Sequence, residues 1–511
     1  MTSFWRNFVA EAVYAFTKPY QSVICIHFPA MDLFLISLVV LIGGYFVYGL
    51  IVEKIIGINP SRPTPATSHA DGVDYIPLPA WRIFLIQFLN IAGVGPIFGA
   101  IMGVMYGPAA FLWIVFGTIF AGGVHDFVSA HMSLRENGLS LPEIVGRELG
   151  PIVKTVMRMF SVVLLMLVVA VFVKTPAGLL ATMTGIDIWV WIGAIFIYYM
   201  LATILPIDKL IGKIYPLFGA ALLFMGLGLL YYLFFGDVQI AHGLSEGLDS
   251  RFADSSHSVF PMMFVSIACG AISGFHATQS PMMARCITNE RLARPIFYGA
   301  MVAEGLIALI WAAAAIAFTG SYDGLASYMA EHNNNAGALV NDISFTWLGA
   351  FGGVLAIIGV VAAPITTGDT ALRSARLISA DFLRLDQKPI AKRFMVSIPL
   401  FAVCLTLLFI NFDVLWRYFA WSNQTLSVFT LWAATVWLAR RGRIYLITLA
   451  PAMFMTMVTV SYICFAPSPE GFGLDLFTAT GIAGAIAVIF LCLFLKWRLR
   501  LVPSARISPK A

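Results

Sequence analysis

Ala268-Cys269-Gly270-Ala271-Ile272-Ser273-Gly274-Phe275-His276-Ala277-Thr278-Gln279-Ser280-Pro281 is the stretch on which the fold turns. It lies inside an apolar segment, yet it holds two glycines, a proline, an imidazole and four hydroxyl or amide side chains. A membrane helix must bond every backbone N–H and C=O within itself, because hydrocarbon offers no partner. Glycines and polar groups at that depth predict a helix that comes apart around a cavity. Asn90-Ile91-Ala92-Gly93-Val94-Gly95-Pro96 is its counterpart in an earlier apolar run. Paired interruptions in two halves of a chain point to a transporter's substrate site.

Composition sets the class. The 511 residues are 60% hydrophobic and 11% charged, with a mean hydropathy of +0.88. Soluble domains carry about 25% charged residues, so the pattern is that of a polytopic membrane protein in a lipid bilayer. The net charge of +5 bears on topology, and no basic, aromatic-interleaved surface points to nucleic acid. Six scattered cysteines without a CxxC pair read as packing residues. Arg6, Glu11 and Lys18 interrupt residues 1–30, which read as an interfacial segment and not a cleavable signal.

About thirteen spans are expected, near 31–56, 82–105, 108–134, 154–174, 187–205, 212–235, 259–284, 296–319, 344–367, 393–411, 413–438, 443–465 and 473–496. Basic clusters alternate with acidic or uncharged loops: Arg135 to Arg158, Lys209 and Lys213, Arg285 to Arg294, Arg373 to Arg393, Arg440 to Arg443 and Lys496 to Arg500. The positive-inside rule then puts the C-terminus in the cytoplasm and, with thirteen crossings, the N-terminus in the periplasm. The domain reading is an extra helix at 31–56, a cytoplasmic loop at 57–80, a ten-helix core at 81–438, two added helices at 439–498 and a tail at 499–511. The two interruptions fall in the second and seventh spans. A repeat of five helices returns inverted, so the fold class expected is all-α with a LeuT-like five-plus-five inverted repeat, its halves at about 81–235 and 259–438.

Half-helix N-termini with exposed N–H groups suit a substrate carboxylate, although small residues also serve plain helix packing. Asn90, Gly93, Gly95, Gly270, Ser273, Gly274 and His276 are the expected pocket, with Thr278 and Gln279 adding polar contacts. Ionisable groups at membrane depth are costly and mark function, and an imidazole such as that of His276 can exchange protons. Glu304 and Asp369 are candidate proton or ion sites, and His125 with Asp126 is placed near the inner gate. Thr366 and Thr367 could supply hydroxyls to a cation, and Asp369 with Arg373 could equally be an i, i+4 pair. No hydrolase motif, cofactor motif or metal motif emerges; His69, Asp71 and Asp74 read as a solvated loop.

The chain resembles the carbon starvation protein A transporters. The resemblance rests on Asn59-Pro60-Ser61-Arg62-Pro63-Thr64-Pro65-Ala66 with Asp71-Gly72-Val73-Asp74-Tyr75, Ile91 to Pro96, and Ala121-Gly122-Gly123-Val124-His125-Asp126-Phe127. It continues through Ala268 to Ala277, Tyr298-Gly299-Ala300-Met301 with Glu304, then Thr366, Asp369, Arg373, Arg376, Asp381, Trp416, Phe419, Asn423 and Gln424. It implies an inner-membrane secondary transporter that imports peptides, or alternatively pyruvate or another small monocarboxylate, coupled to H⁺ or Na⁺ in carbon scarcity. This chain differs from many members at Gln87 (histidine there), His125 (glutamine), Arg417 (proline) and Pro281-Met282-Met283 (small hydroxyl residues). A channel is the rival reading, and no enzymatic activity is expected.

Overall fold

Long apolar runs become helices wherever the backbone must satisfy itself. The computed structural model describes residues 32–70, 75–204, 207–236, 238, 248–252, 257–332, 334–385 and 389–501. Residues 1–30, Asp71, Asp74 and the tail beyond 501 lie outside the described residues. All elements among the described residues are helical. Nine helices there are long and apolar enough to cross a membrane, or ten if one bent pair is a single span.

That bent pair is the first predicted interruption. The chain runs as a helix over Ala80–Ile91, leaves it, and resumes over Gly95–Val104 at an angle of 55°. The remaining expected spans differ for separate physical reasons. The run near 187–205 is a 17-residue helix, Ile188–Ile204, short for a crossing. The run near 259–284 is divided into short helical pieces by its interruption. Phe412–Arg440 has the length, 29 residues, but carries Arg417, Ser422, Asn423 and Gln424 among its apolar residues. The span expected at 344–367 belongs to a longer helix, Ala336–Leu383, broken at Gly349 with φ 67°.

The first and last helices face outward. Val39 and Val47 on Asp32–Ile56 are 70% and 66% exposed, and Leu499 on Leu476–Leu501 is 74% exposed. Gly299–Thr319 is central instead: Trp311 through Ile316 are fully covered. Pro151–Thr184 packs along Ala336–Leu383, and Ile207–Phe235 joins that pair to the first broken helix.

Charge is gathered at one end. Arg135 pairs with Glu290 at 2.9 Å and donates to the Gly57 carbonyl, while Glu290 accepts from the Asn59 N–H at 2.8 Å. Arg147 and Arg441 share Glu136, Arg440 and Arg441 reach Glu148, and Arg294 pairs with Glu53. The guanidinium of Arg440 also lies over Trp497 near the end of the last helix. Asp32–Ile56 finishes at this end with Glu53, and its 25 residues span about 37 Å. The chain therefore enters its first helix at one end of the bundle and leaves its last at the other.

Candidate functional site

Nine residues separate Ser266, the last of one helical turn, from His276, the first of the next. Their backbone groups are buried and need partners. Asn423 supplies three of them, and a partner for one side chain. Its Oδ1 accepts from the Ser273 hydroxyl at 3.0 Å and the Phe275 N–H at 2.7 Å. Its Nδ2 donates to the Ala268 carbonyl at 3.1 Å, and its own carbonyl accepts from the Gly274 N–H at 3.1 Å. Gln424 Nε2 donates to the carbonyls of Phe264 and Ile267 at 3.2 and 3.3 Å. Thr118, on the next helix round, donates to the Gly270 carbonyl at 2.9 Å.

The two interruptions meet. A methyl group on Gly95 would stand 2.3 Å from Cys269, one on Gly99 3.0 Å from the Ser266 carbonyl and one on Gly103 2.2 Å from Ile267. Gly270 lies against Pro96 and Ala308. Residues 95 to 103 thus run beside residues 270 to 266, so the strands of chain are antiparallel. The glycines at the breaks are sites of close approach: Gly93 faces the Phe172 ring, and Gly274 abuts the backbone of Asn423 and Ser427.

His276 opens the second half of the interrupted helix and is fully buried. Its Nδ1 is 2.8 Å from Asp126 Oδ2, and its Nε2 is 3.5 Å from Glu304 Oε2. Asp126 Oδ1 is 2.8 Å from His125 Nδ1. An ionised carboxylate only accepts, so both imidazoles donate through Nδ1. Asp126 thereby bridges two histidines, and Glu304 closes the row from the helix Gly299–Thr319. These four side chains are at most 1% exposed. Among the described residues, no three His, Cys, Asp or Glu groups converge on a metal position; the four form a row. His125 and Asp126, expected near an inner gate, are buried in this row on the helix Gly123–Arg135, which follows a π turn at Thr118–Gly122.

Other predicted residues separate into groups. Ser273 is engaged by Asn423. Thr278 donates to the Phe275 carbonyl and accepts from Gln279 Nε2. Thr366 bonds within its own helix, whereas Thr367 donates to the Leu89 carbonyl of the first broken helix at 3.1 Å. Asp369 is buried on the same helix, where Tyr199 packs over Gly368. Arg373 donates to the Ala202 carbonyl. Asn90 and Gln279 lie buried on the two broken helices, and Gln87 joins them one turn before Asn90. The pins Asn423 and Gln424 and the residue Gln87 were not assigned to the site from sequence; amides inside an apolar run were the available signal.

The sequence matches the family described as carbon starvation protein CstA over residues 29–192 and 175–350, more than half of its length. The chain belongs to that family. An uncharacterized membrane protein of Haemophilus influenzae is 45% identical over 335 residues, 56% of this chain and 90% of its own. The pyruvate/proton symporter BtsT of Escherichia coli is 29% identical over 349 residues, 56% of this chain and 48% of its own. The peptide transporter CstA of Bacillus subtilis is 28% identical over 348 residues, 56% of this chain and 58% of its own. The match spans about half the length of these two transporters. A variant of the manganese transporter of Eremococcus coleocola shares the fold with a TM-score of 0.51 at 13% identity, over 84% of this chain and 98% of that one.

Proposed function

We propose that this CstA-family member is a secondary transporter of the inner membrane that imports peptides with protons by alternating access. The row His125–Asp126–His276–Glu304 carries the reading. A proton arriving on His276 Nε2 makes an imidazolium between two carboxylates, and its departure leaves them uncompensated in a dry interior. The charge state of the row therefore biases the packing of the helices that bear it, which is the coupling an importer needs. His276 belongs to one broken helix, so proton binding acts on the element that would also hold substrate.

The thirteen-span, five-plus-five core over 81–438, flanked by 31–56 and 439–498, is part of the proposal. The antiparallel contact of the two breaks supports it, as does a reciprocal arrangement. The third expected span holds the second break through Thr118 and Asp126, while the eighth, five later, packs on both halves of the first. Asn90 and Gln279 would face substrate; Thr366, Thr367 and Asp369 form a second candidate ion locus, for Na⁺. The relative named as a pyruvate/proton symporter favours a second substrate reading, a small monocarboxylate.

The test is uptake into proteoliposomes with and without an inward proton gradient. Gradient-driven accumulation that falls at least a hundredfold in His276→Ala is expected. Equal, passive flux in both conditions sinks the importer and leaves a channel.

A further inference from the structure

Close to the proton row, three carboxamides hold polar atoms that no protein group satisfies. Both polar atoms of Gln87, both of Asn90, Oε1 of Gln279 and Oε1 of Glu304 lack a hydrogen-bond partner, and Glu304 Oε2 meets only His276 Nε2 at 3.5 Å, although all four residues are 0% exposed. A buried, unsatisfied polar group is costly, so their concentration in one place needs an explanation.

Helix geometry brings them together. Successive residues turn by about 100°. On Ala80–Ile91, Trp81 and Phe84 face an outer apolar groove that also includes Pro295, Val302 and Leu306. Asn90 stands about 180° from Trp81 and turns inward, and Gln87, about 60° from Asn90 and fully buried, is its neighbour one turn before. On Gly299–Thr319, Glu304 is about 160° from Val302 and from Leu306, which turns it inward as well. On His276–Ala284, His276 meets Glu304, and Met282 meets Ser374 on Ala336–Leu383. Gln279 lies midway, about 60° from each. The first broken helix packs against all three of these elements and fills that middle direction. Gln279 therefore lies on the side of its helix next to the one that carries Gln87 and Asn90.

We propose that Gln87, Asn90, Gln279 and Glu304 form a subsite for a protonated primary amine, the terminal ammonium of the transported molecule. The inference rests on the importer reading and adds a recognition rule to it. Five oxygens accept there: three from carboxamides and two from Glu304. An ammonium brings three N–H donors and no acceptor. The amide N–H groups of Gln87 and Asn90 then donate to the carbonyl that follows the amine in a peptide. A keto acid brings acceptors only and leaves all five oxygens unpaired.

Binding to the full chain in lipid nanodiscs tests this with alanyl-alanine, N-acetyl-alanyl-alanine and pyruvate. Acetylation removes the charge and two donors, and is expected to weaken binding at least about tenfold. Gln87→Leu is expected to weaken alanyl-alanine by about tenfold and to change the acetylated form less than about twofold. Equal binding of the two dipeptides to the unsubstituted protein overturns the subsite, whether or not Gln87→Leu folds. Ammonium chloride or sodium chloride stabilising the protein as much as alanyl-alanine also overturns it, in favour of an inorganic cation. Gradient-driven uptake of pyruvate without dipeptide binding removes the subsite and leaves the importer. Amine-selective binding without gradient-driven uptake supports the subsite and removes proton coupling.

Discussion

The two interrupted helices solve one problem in different ways. The first is open over three residues, Ala92 to Val94, and repairs itself locally: the Ala92 N–H reaches Phe88, and the Ile97 and Phe98 N–H groups reach Val94. Thr367 adds one outside bond, to Leu89. The second is open over nine residues and is held from outside, by Asn423, Gln424 and Thr118. A short gap can close with a π turn, while a long one needs borrowed donors and acceptors. The first behaves as a bend and the second as a clamped loop, so stability should be concentrated in the clamp.

Five substitutions break or sharpen that contrast. The largest effect is expected from Asn423→Ala, which strands the Ser273 hydroxyl, the Phe275 N–H and the Ala268 carbonyl. A loss of about 3 kcal/mol, read as a lowered thermal midpoint in detergent, accompanies loss of uptake. An unchanged midpoint means that the clamp does not hold the loop. Gly274→Ala follows, because its methyl group would stand 2.3 Å from the Asn423 carbonyl and 2.4 Å from the Ser427 nitrogen. Gly93→Ala meets only the edge of a movable phenylalanine ring at 2.7 Å. The first should cost about 2 kcal/mol more than the second, measured as the difference in thermal midpoints.

Thr118→Val and Thr367→Val each remove one hydroxyl from a break. About 1 kcal/mol is expected for Thr118 and less for Thr367, whose hydroxyl also bonds within its own helix to Ala363. The reverse order would show the first break to be the more dependent one.

The smallest effect lies far from both. Burial raises the Glu143 carboxyl, but the bonds and charges of Lys154 and Arg158 outweigh it and hold the group below its ordinary range. A depressed folded value gives stability that is present above the unfolded value, about 4.5, and fades as pH falls through the folded one. The pair is partly exposed, at 26% for Glu143 and 29% for Lys154, so the contribution is under about 1 kcal/mol. Glu143→Gln should lower the thermal midpoint slightly at pH 7 and leave it unchanged at the acidic end of the titration.

Both breaks were legible as glycine and proline inside apolar runs, and the buried titratable residues were legible as charges at membrane depth. What His276 touches was not. Asp126 is 150 positions away and Glu304 lies on a different helix; neither is related to His276 by helical spacing. The glycines carried two meanings, cavity and close packing, that local pattern cannot separate. Only their neighbours, Cys269, Phe172 and the Asn423 backbone, assign them to packing here.

Composition and periodicity by themselves determined that this chain is helical, lives in a bilayer and is interrupted at these two stretches, because hydrocarbon leaves the backbone few options. The tertiary structure decided which side chains replace the missing water around the second gap, and that one aspartate stands between two histidines. Those partnerships depend on how distant helices rotate against one another, and no residue's own environment in the sequence contains that angle.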